Sequence, residues 1–287
     1  MPKALTVGGV PEHFNWPFQC ALRDNAFAAA GAPMEWRDFK GGTGAMLGAL
    51  ERGELDTALL LTEGALADAI NAGLNRLVKV WVRSPLIWGI HVAARSRFKR
   101  IGQIRGARYA ISRFRSGSHL MAIVDALGRG WPVDELEFVV VDNIDGARSA
   151  LAEDRADVFF WERFTTSPLV RTGEFRRLDD CVAPWPAFSV VVAKRRLAAV
   201  RARLAKALAV ADRYAVNLAR RQHAVDEIAA AYALESSEVA AWFQHVRWSQ
   251  GTRRPSAALL GCARVLNAAG IIDEPSVDLD RVWAPLR

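Results

Sequence analysis

Cysteine is scarce in this chain, with three residues in 287, at positions 20, 181 and 262. An odd count without CxxC spacing argues against a disulfide framework and against a zinc cluster. Cys20 and Cys262 fall on apolar faces of helical segments, where a free thiol behaves as a small hydrophobe. Long apolar runs are missing too, and no segment is long, apolar and charge-free enough to span a bilayer. Acidic residues vanish locally: residues 95–115 hold eight Lys or Arg and no Asp or Glu. Internal repeats and low-complexity tracts are absent. The first residues, Met-Pro-Lys, pass directly into a strand at 4–7 without a leader of basic start, apolar run and cleavage site. The compartment expected from this start is the cytosol, with the periplasm as the alternative if a leader has been removed.

What is present is ample for large cores. Hydrophobic residues make up 51% of the chain, whose length suits two lobes of ordinary domain size. The net charge is +7 and the pI near 9.8. That basic balance raises nucleic acid as a partner through residues 95–115. No binding motif accompanies the charge, so a solvated Arg-rich face is the competing reading and no nucleic acid is expected.

The hydrophobic pattern alternates strands and helices. Leu5–Val7 reads as a strand broken by Gly8-Gly9. Asn15 then reads as an N-cap, and Pro17 fits the first turn of a helix running to about Ala30. A strand at 34–39, a glycine loop at 41–44, a helix at 45–52, a strand at 55–61 and a helix at 63–72 follow. Apolar strands at 77–82 and 88–93 suit the exit from a first lobe. A second set runs 108–111 (strand), 118–128 (helix), 137–141 (strand), 146–153 (helix) and 158–161 (strand), and 188–193 reads as a return strand. Four helices close the chain: 197–219, 224–232, 236–243 and 256–269. Such alternation argues for mostly parallel sheets covered on both faces.

Residues 104–121, IRGARYAISRFRSGSHLM, are the most informative stretch. A turn, a short strand, a polar loop and a helix start bring free backbone N–H groups toward Ser112, Arg113, Ser116, Gly117, Ser118 and His119. Such a junction receives anionic or polar groups. Arg115 competes with Arg113 for the same role. Other strand ends add Pro11, Glu12, His13, Phe14 and Trp16 after the first strand, and Gly42 and Thr43 after the second. Thr62 and Glu63 follow the third. Asn143, Trp161 and Glu162 end the later strands, and Trp88 sits near an expected crossing. Each has a bland alternative: Phe14 and Trp16 as staples to the core, Glu63 as a charge favouring its helix N-terminus, and Trp88 as hinge packing. The glycine loop lacks the Gly-Lys-Ser/Thr ending of a nucleotide P-loop. No spacing assembles an acid, a base and a nucleophile.

The order of these pieces resembles the type 2 periplasmic-binding-protein fold, and within it the branch of nitrate-, taurine- and alkanesulfonate-binding proteins and thiamine-pyrimidine synthases. The residues that carry the resemblance are Gly8-Gly9-Val10-Pro11, Gly53-Glu54-Leu55-Asp56-Thr57-Ala58, Ile104-Arg105-Gly106 with Ser116-Gly117-Ser118-His119, and Ala156-Asp157-Val158-Phe159-Phe160-Trp161-Glu162. In the last, Arg163 stands where the family commonly has Pro. The resemblance implies an α/β fold of two lobes with mixed, mostly parallel sheets, two hinge crossings and a helical C-terminal tail. Lobe I would hold 1–91 and 190–287, and lobe II 92–189. It further implies that ligand is held in a cleft on which the lobes close.

Three functions follow as expectations. The first is binding of a small organic ligand, anionic or zwitterionic, with no chemistry and no cofactor. An ABC transporter permease is then the partner the resemblance implies, although a cytosolic location would not suit it. The second is an enzyme like the thiamine-pyrimidine synthases, which use a Cys-rich iron motif and consume a bound pyridoxal phosphate. This chain has no Cys cluster, and His13 and His119 lack a lysine companion in the matched loops. The third is nucleic-acid binding through 95–115.

Overall fold

The computed structural model describes residues 3–274 and 276–286. The chain divides into two compact units. Unit 1 runs to residue 84 and includes 185–264 and the segment from 274 onward, whereas unit 2 comprises 85–184 and 265–273. Among the described residues no helix is long and apolar enough to cross a membrane.

Unit 1 begins with β1 (Leu5–Gly9), α1 (Trp16–Arg23), α2 (Ala26–Ala29), β2 (Met34–Asp38), α3 (Gly42–Arg52), β3 (Thr57–Leu61), α4 (Thr62–Asn71) and β4 (Asn75–Val82). Unit 2 follows with β5 (Ile87–Ala93), β6 (Arg108–Ile111), α5 (Gly117–Gly128), β7 (Glu137–Val140), α6 (Ile144–Ala152), β8 (Val158–Glu162), α7 (Ser167–Arg171) and β9 (Phe175–Val182). The chain then returns through β10 (Phe188–Ala193), α8 (Leu197–Leu218), α9 (Ala224–Tyr232), α10 (Ser236–His245), α11 (Ser256–Ala268) and α12 (Leu279–Val282).

Each unit holds a five-stranded sheet, in the order β2-β1-β3-β10-β4 in unit 1 and β7-β6-β8-β5-β9 in unit 2. In each, three parallel strands meet an antiparallel one. β10 runs against β3 and β4, and β5 runs against β8 and β9. The central strands are apolar on both faces, as β3 (TALLL) and β10 (FSVVVA) show, because helices cover both sides of such strands. In unit 2, α6 sets Ala147, Ala150 and Leu151 against Phe159, Phe175 and Val141. Each fully buried Leu, Val or Phe of this kind contributes about 1.5–3 kcal/mol. All three cysteines are buried and free.

Three local expectations are corrected. The helix expected to run from Pro17 to Ala30 ends at Arg23, because Asn25 adopts a left-handed conformation (φ 52°) that starts α2 afresh. The loop expected at 41–44 is already helix from Gly42, with Gly41 as its N-cap. The strand β9 and the short α7 appear where no element was expected. β9 reads FRRLDDCV and lies at a sheet edge, where only Phe175 and Cys181 are fully buried. Its four charged residues, Arg176, Arg177, Asp179 and Asp180, interrupt any apolar alternation.

Gly146 is dictated by space. A Cβ there would lie 1.8 Å from the carbonyl oxygen of Val141. A backbone oxygen cannot swing aside as a side chain can. Gly146→Ala is therefore expected to displace the start of α6 and to cost about 1–3 kcal/mol, read as a lower urea midpoint. An unchanged midpoint would show that the turn yields freely.

Candidate ligand-binding site

In unit 2 the strand order reverses direction of growth at β6, which lies between β7 and β8. The carboxyl end of a strand at such a switch point is where open α/β sheets place ligands. The loop leaving β6 there is Ser112–Ser116, followed by α5. Ser116 caps the helix with an extended backbone, and its Oγ accepts from the His119 N–H at 3.4 Å. Ser118 Oγ accepts from the Ser112 N–H and lies 3.0 Å from Ser116 Oγ. His119 Nδ1 accepts from the Arg115 N–H at 3.2 Å. Ser112, Ser116, Ser118 and His119 thus form one buried hydrogen-bonded knot.

That bond makes His119 Nδ1 an acceptor, which requires a neutral ring. Burial lowers its pKa in the same sense. The ring packs edge-on against Phe138 and Phe114, with centroids 4.6 and 5.3 Å away. His119 therefore braces the loop. Gly117 and Ser118 occupy the first two helical positions, so their N–H groups have no intrahelical acceptor and point along the positive end of the helix dipole. The two arginines of the loop differ. Arg115 is exposed with φ 67°, whereas Arg113 is half-buried and burial lowers its pKa.

The neighbouring strand ends support this loop. The Asp142 N–H donates to Ser112 O at 3.1 Å. Asn143 caps α6, its Oδ1 accepting from the N–H groups of Asp145 and Gly146. At the end of β8, Glu162 is buried, and burial pushes its pKa up to about 7 although Thr165 N–H and Oγ1 both donate to Oε2. Trp161 stacks on Phe159 and packs against the α6 core. Trp88, the cross-strand partner of Glu162, is buried, and its Nε1 has no hydrogen-bond partner. In the basic stretch, Arg105 pairs with Glu135 and Arg108 with Asp157, which neutralises part of that charge.

In unit 1 the residues after β1 separate into two groups. His13 and Phe14 are buried, their rings stacked 4.6 Å apart and both meeting Trp242 edge-on. Burial lowers the His13 pKa to about 3, so it is neutral. Phe14 O accepts from the indole N–H groups of Trp81 and Trp248. Pro11 and Trp16 instead line a pocket of about 520 Å³ together with Gln19, Asp38 and Tyr232. Glu12 lies between these groups in sequence and is half-buried. Thr43 Oγ1 accepts from the Leu61 N–H, beside Gly42 at the start of α3. Thr62 Oγ1 lies 2.9 Å from Ser189 Oγ. Glu63 Oε2 accepts from Trp185 Nε1 at 2.8 Å, while Oε1 is buried without a partner and burial raises the pKa to about 7.

The candidates after β6 therefore come together, whereas Thr43, Thr62 and Trp161 carry bonds or packing that brace their own unit. Asp38, Gln19 and Tyr232 were not singled out from sequence. Asp38 ends β2 and carried a weak signal of position, but Tyr232 is more than 200 residues from Trp16 and carried none.

Comparison with known structures follows the same geometry. The chain superimposes on the Candida albicans CA3427 gene product, described as having the generic periplasmic binding protein fold, with a TM-score of 0.88, 23% identity and coverage of 98% and 94% of the two chains. It superimposes on the alkanesulfonate-binding protein SsuA of Xanthomonas axonopodis pv. citri bound to MOPS with a TM-score of 0.82, 17% identity and 98% coverage of both chains. The chain has the type 2 periplasmic-binding-protein fold. Residues 88–181 match a family model described as Ca3427-like PBP. A comparison with curated proteins finds no match. The Escherichia coli periplasmic aliphatic sulphonate binding protein shares the fold with a TM-score of 0.72, 17% identity and 99% and 93% coverage. The cytosolic assignment is corrected by these neighbours: structures sharing the binding-protein fold are described as periplasmic and as components of ABC import.

Proposed function

We propose that this protein is a solute-binding protein for a small organic anion, performs no chemistry on it, and serves an ABC importer. The observation that carries the reading is the start of α5, at the switch point of unit 2. Two N–H groups without helical acceptors, on Gly117 and Ser118, stand beside a knot of serine hydroxyls and the half-buried Arg113. N–H groups at a helix N-terminus and a guanidinium together suit a tetrahedral oxyanion. Support also comes from two proteins of this fold, described as bound to MOPS and to methylphosphonate, which carry a sulfonate and a phosphonate. The reading includes closure of two lobes on ligand, which requires contacts made only in the closed form.

A thermal-shift screen of alkanesulfonates and phosphonates tests the reading. A true ligand at a hundred times its dissociation constant stabilises by about 2.7 kcal/mol. Arg113→Ala is expected to weaken that ligand about tenfold or more, because a charge-assisted hydrogen bond is lost. Arg115→Ala, on the exposed loop face, should leave affinity within about twofold by the same scale. Equal losses from both arginines, or no stabilisation by any anion, would remove the anion assignment.

A further inference from the structure

We propose that the unit 1 pocket beside Trp16 and Tyr232 binds an organic ammonium cation. This site lies at the carboxyl ends of β1 and β2, and it is argued independently of the anion site in unit 2. The pocket measures about 520 Å³ and is lined by Pro11, Trp16, Gln19, Asp38 and Tyr232 with its flanking alanines. That volume is in the range of small-molecule sites. The rings of Trp16 and Tyr232 meet 5.8 Å apart at 72°. Two rings set nearly at right angles form a corner, and the electron-rich faces of Trp and Tyr attract cations.

Charge points the same way. No lining residue is Lys or Arg, whereas the exposed Asp38 carries a carboxylate. The Trp36 indole N–H donates to Asp38 Oδ1 at 2.8 Å, which orients that carboxylate. The pKa of Tyr232 is raised by burial and then by the negative charges of Asp38 and Glu12, so both carboxylates are felt inside the pocket. An anion entering would meet the same repulsion that the phenolate meets. A bare metal ion is disfavoured as well, since among the described residues no group of three His, Cys, Asp or Glu converges to hold one. Aromatic faces, an apolar proline and a single oriented carboxylate match a cation that carries its charge on alkylated nitrogen.

The test is titration of the full-length protein with choline and with its neutral carbon isostere, 3,3-dimethylbutan-1-ol, by calorimetry and tryptophan fluorescence. The two probes share a shape and differ in charge. Choline is expected to bind at least about tenfold more tightly than the isostere, in line with a partly desolvated cation–π contact. Tyr232→Phe should keep choline affinity, because the ring remains. Asp38→Asn should weaken it several-fold, and Tyr232→Leu about tenfold. Circular dichroism and unchanged thermal midpoints confirm that the variants remain folded; the surface substitution Asp38→Asn serves if Tyr232→Leu unfolds. Equal binding of choline and the isostere would show a merely apolar pocket and overturn the assignment. So would the absence of choline binding at millimolar concentrations, or choline affinity untouched by Asp38→Asn. Binding of alkanesulfonates to unit 2 is unaffected by any of these outcomes.

Discussion

Replacing Lys79 with methionine should lower the stability of the protein by about 3–5 kcal/mol, among the largest effects of any single substitution here. Lys79 lies on β4 with its side chain fully buried. Its Nζ is 3.0 Å from Asp212 Oδ1 on α8, and it donates to the carbonyl oxygens of Ser249 and Gly251 in the segment before α11. The Gly251 N–H closes the group by donating to Asp212 Oδ2. One ammonium thus joins the central sheet of unit 1 to two separate parts of the helical tail. Methionine fills similar volume but leaves the Asp212 carboxylate without its cation and two carbonyls without their donor. Removing one partner from a buried pair costs far more than the pair contributes, because the remaining charge stays desolvated. Urea denaturation reads the effect as a lower midpoint. The double variant Lys79→Met with Asp212→Leu should recover part of the loss. A single variant within about 1 kcal/mol of the parent would mean that water already reaches the site.

The second large effect is a dependence on pH that Glu63→Gln removes. Burial raises the Glu63 pKa from 4.5 to about 7. In the folded chain this carboxyl therefore holds a proton that the unfolded chain has released, between about pH 4.5 and 7. Stability falls with rising pH wherever the native state binds more protons. The penalty is absent below pH 4.5, grows through that window and is constant above it, reaching up to about 3 kcal/mol for a shift of this size. Glu162 has the same sign and the same window. His13 and His91 act oppositely, because burial lowers their pKa values to about 3 and about 4. Their neutral forms contribute stability that is present above pH 6.5 and is lost as pH falls. The parent profile mixes these slopes, so the difference between Glu63→Gln and the parent is the clean measurement. The variant should match the parent near pH 4 and exceed it at pH 8, since glutamine keeps an acceptor for the Trp185 N–H. A difference that does not change with pH would show that Glu63 is ionised at pH 7 in spite of its burial.

Much of the architecture was legible from periodicity. The strands at β6 and β10 were placed correctly to the residue, and α9 likewise, because continuous apolar runs and a clear helical period leave few alternatives. The four long tail helices were legible for the same reason. Legibility failed where polar residues cover an element. β9 hides Phe175 and Cys181 among four charged residues and gains its strand conformation only by pairing with β5. The break at Asn25 was equally hidden, since an asparagine in a left-handed turn looks locally like an ordinary helix residue. The compartment was misread because the first residues of a chain are weak evidence of where it acts.

At the binding region the division is sharper. Cap chemistry is local, so Ser116 at the start of α5 and the serines around it could be read from the order of residues alone: a cap and its helix are neighbours in sequence. Burial is not local. Only the folded chain shows that His13 and Phe14 brace Trp242, that Glu63 is buried against Trp185, and that Trp16 meets Tyr232 from the far end of the polypeptide. Sequence order by itself determined which segments become strands and helices and where a helix offers its free N–H groups, since hydrogen-bond periodicity acts within a few residues. Tertiary structure alone decided which of those polar groups are desolvated, because desolvation depends on atoms brought together from distant positions.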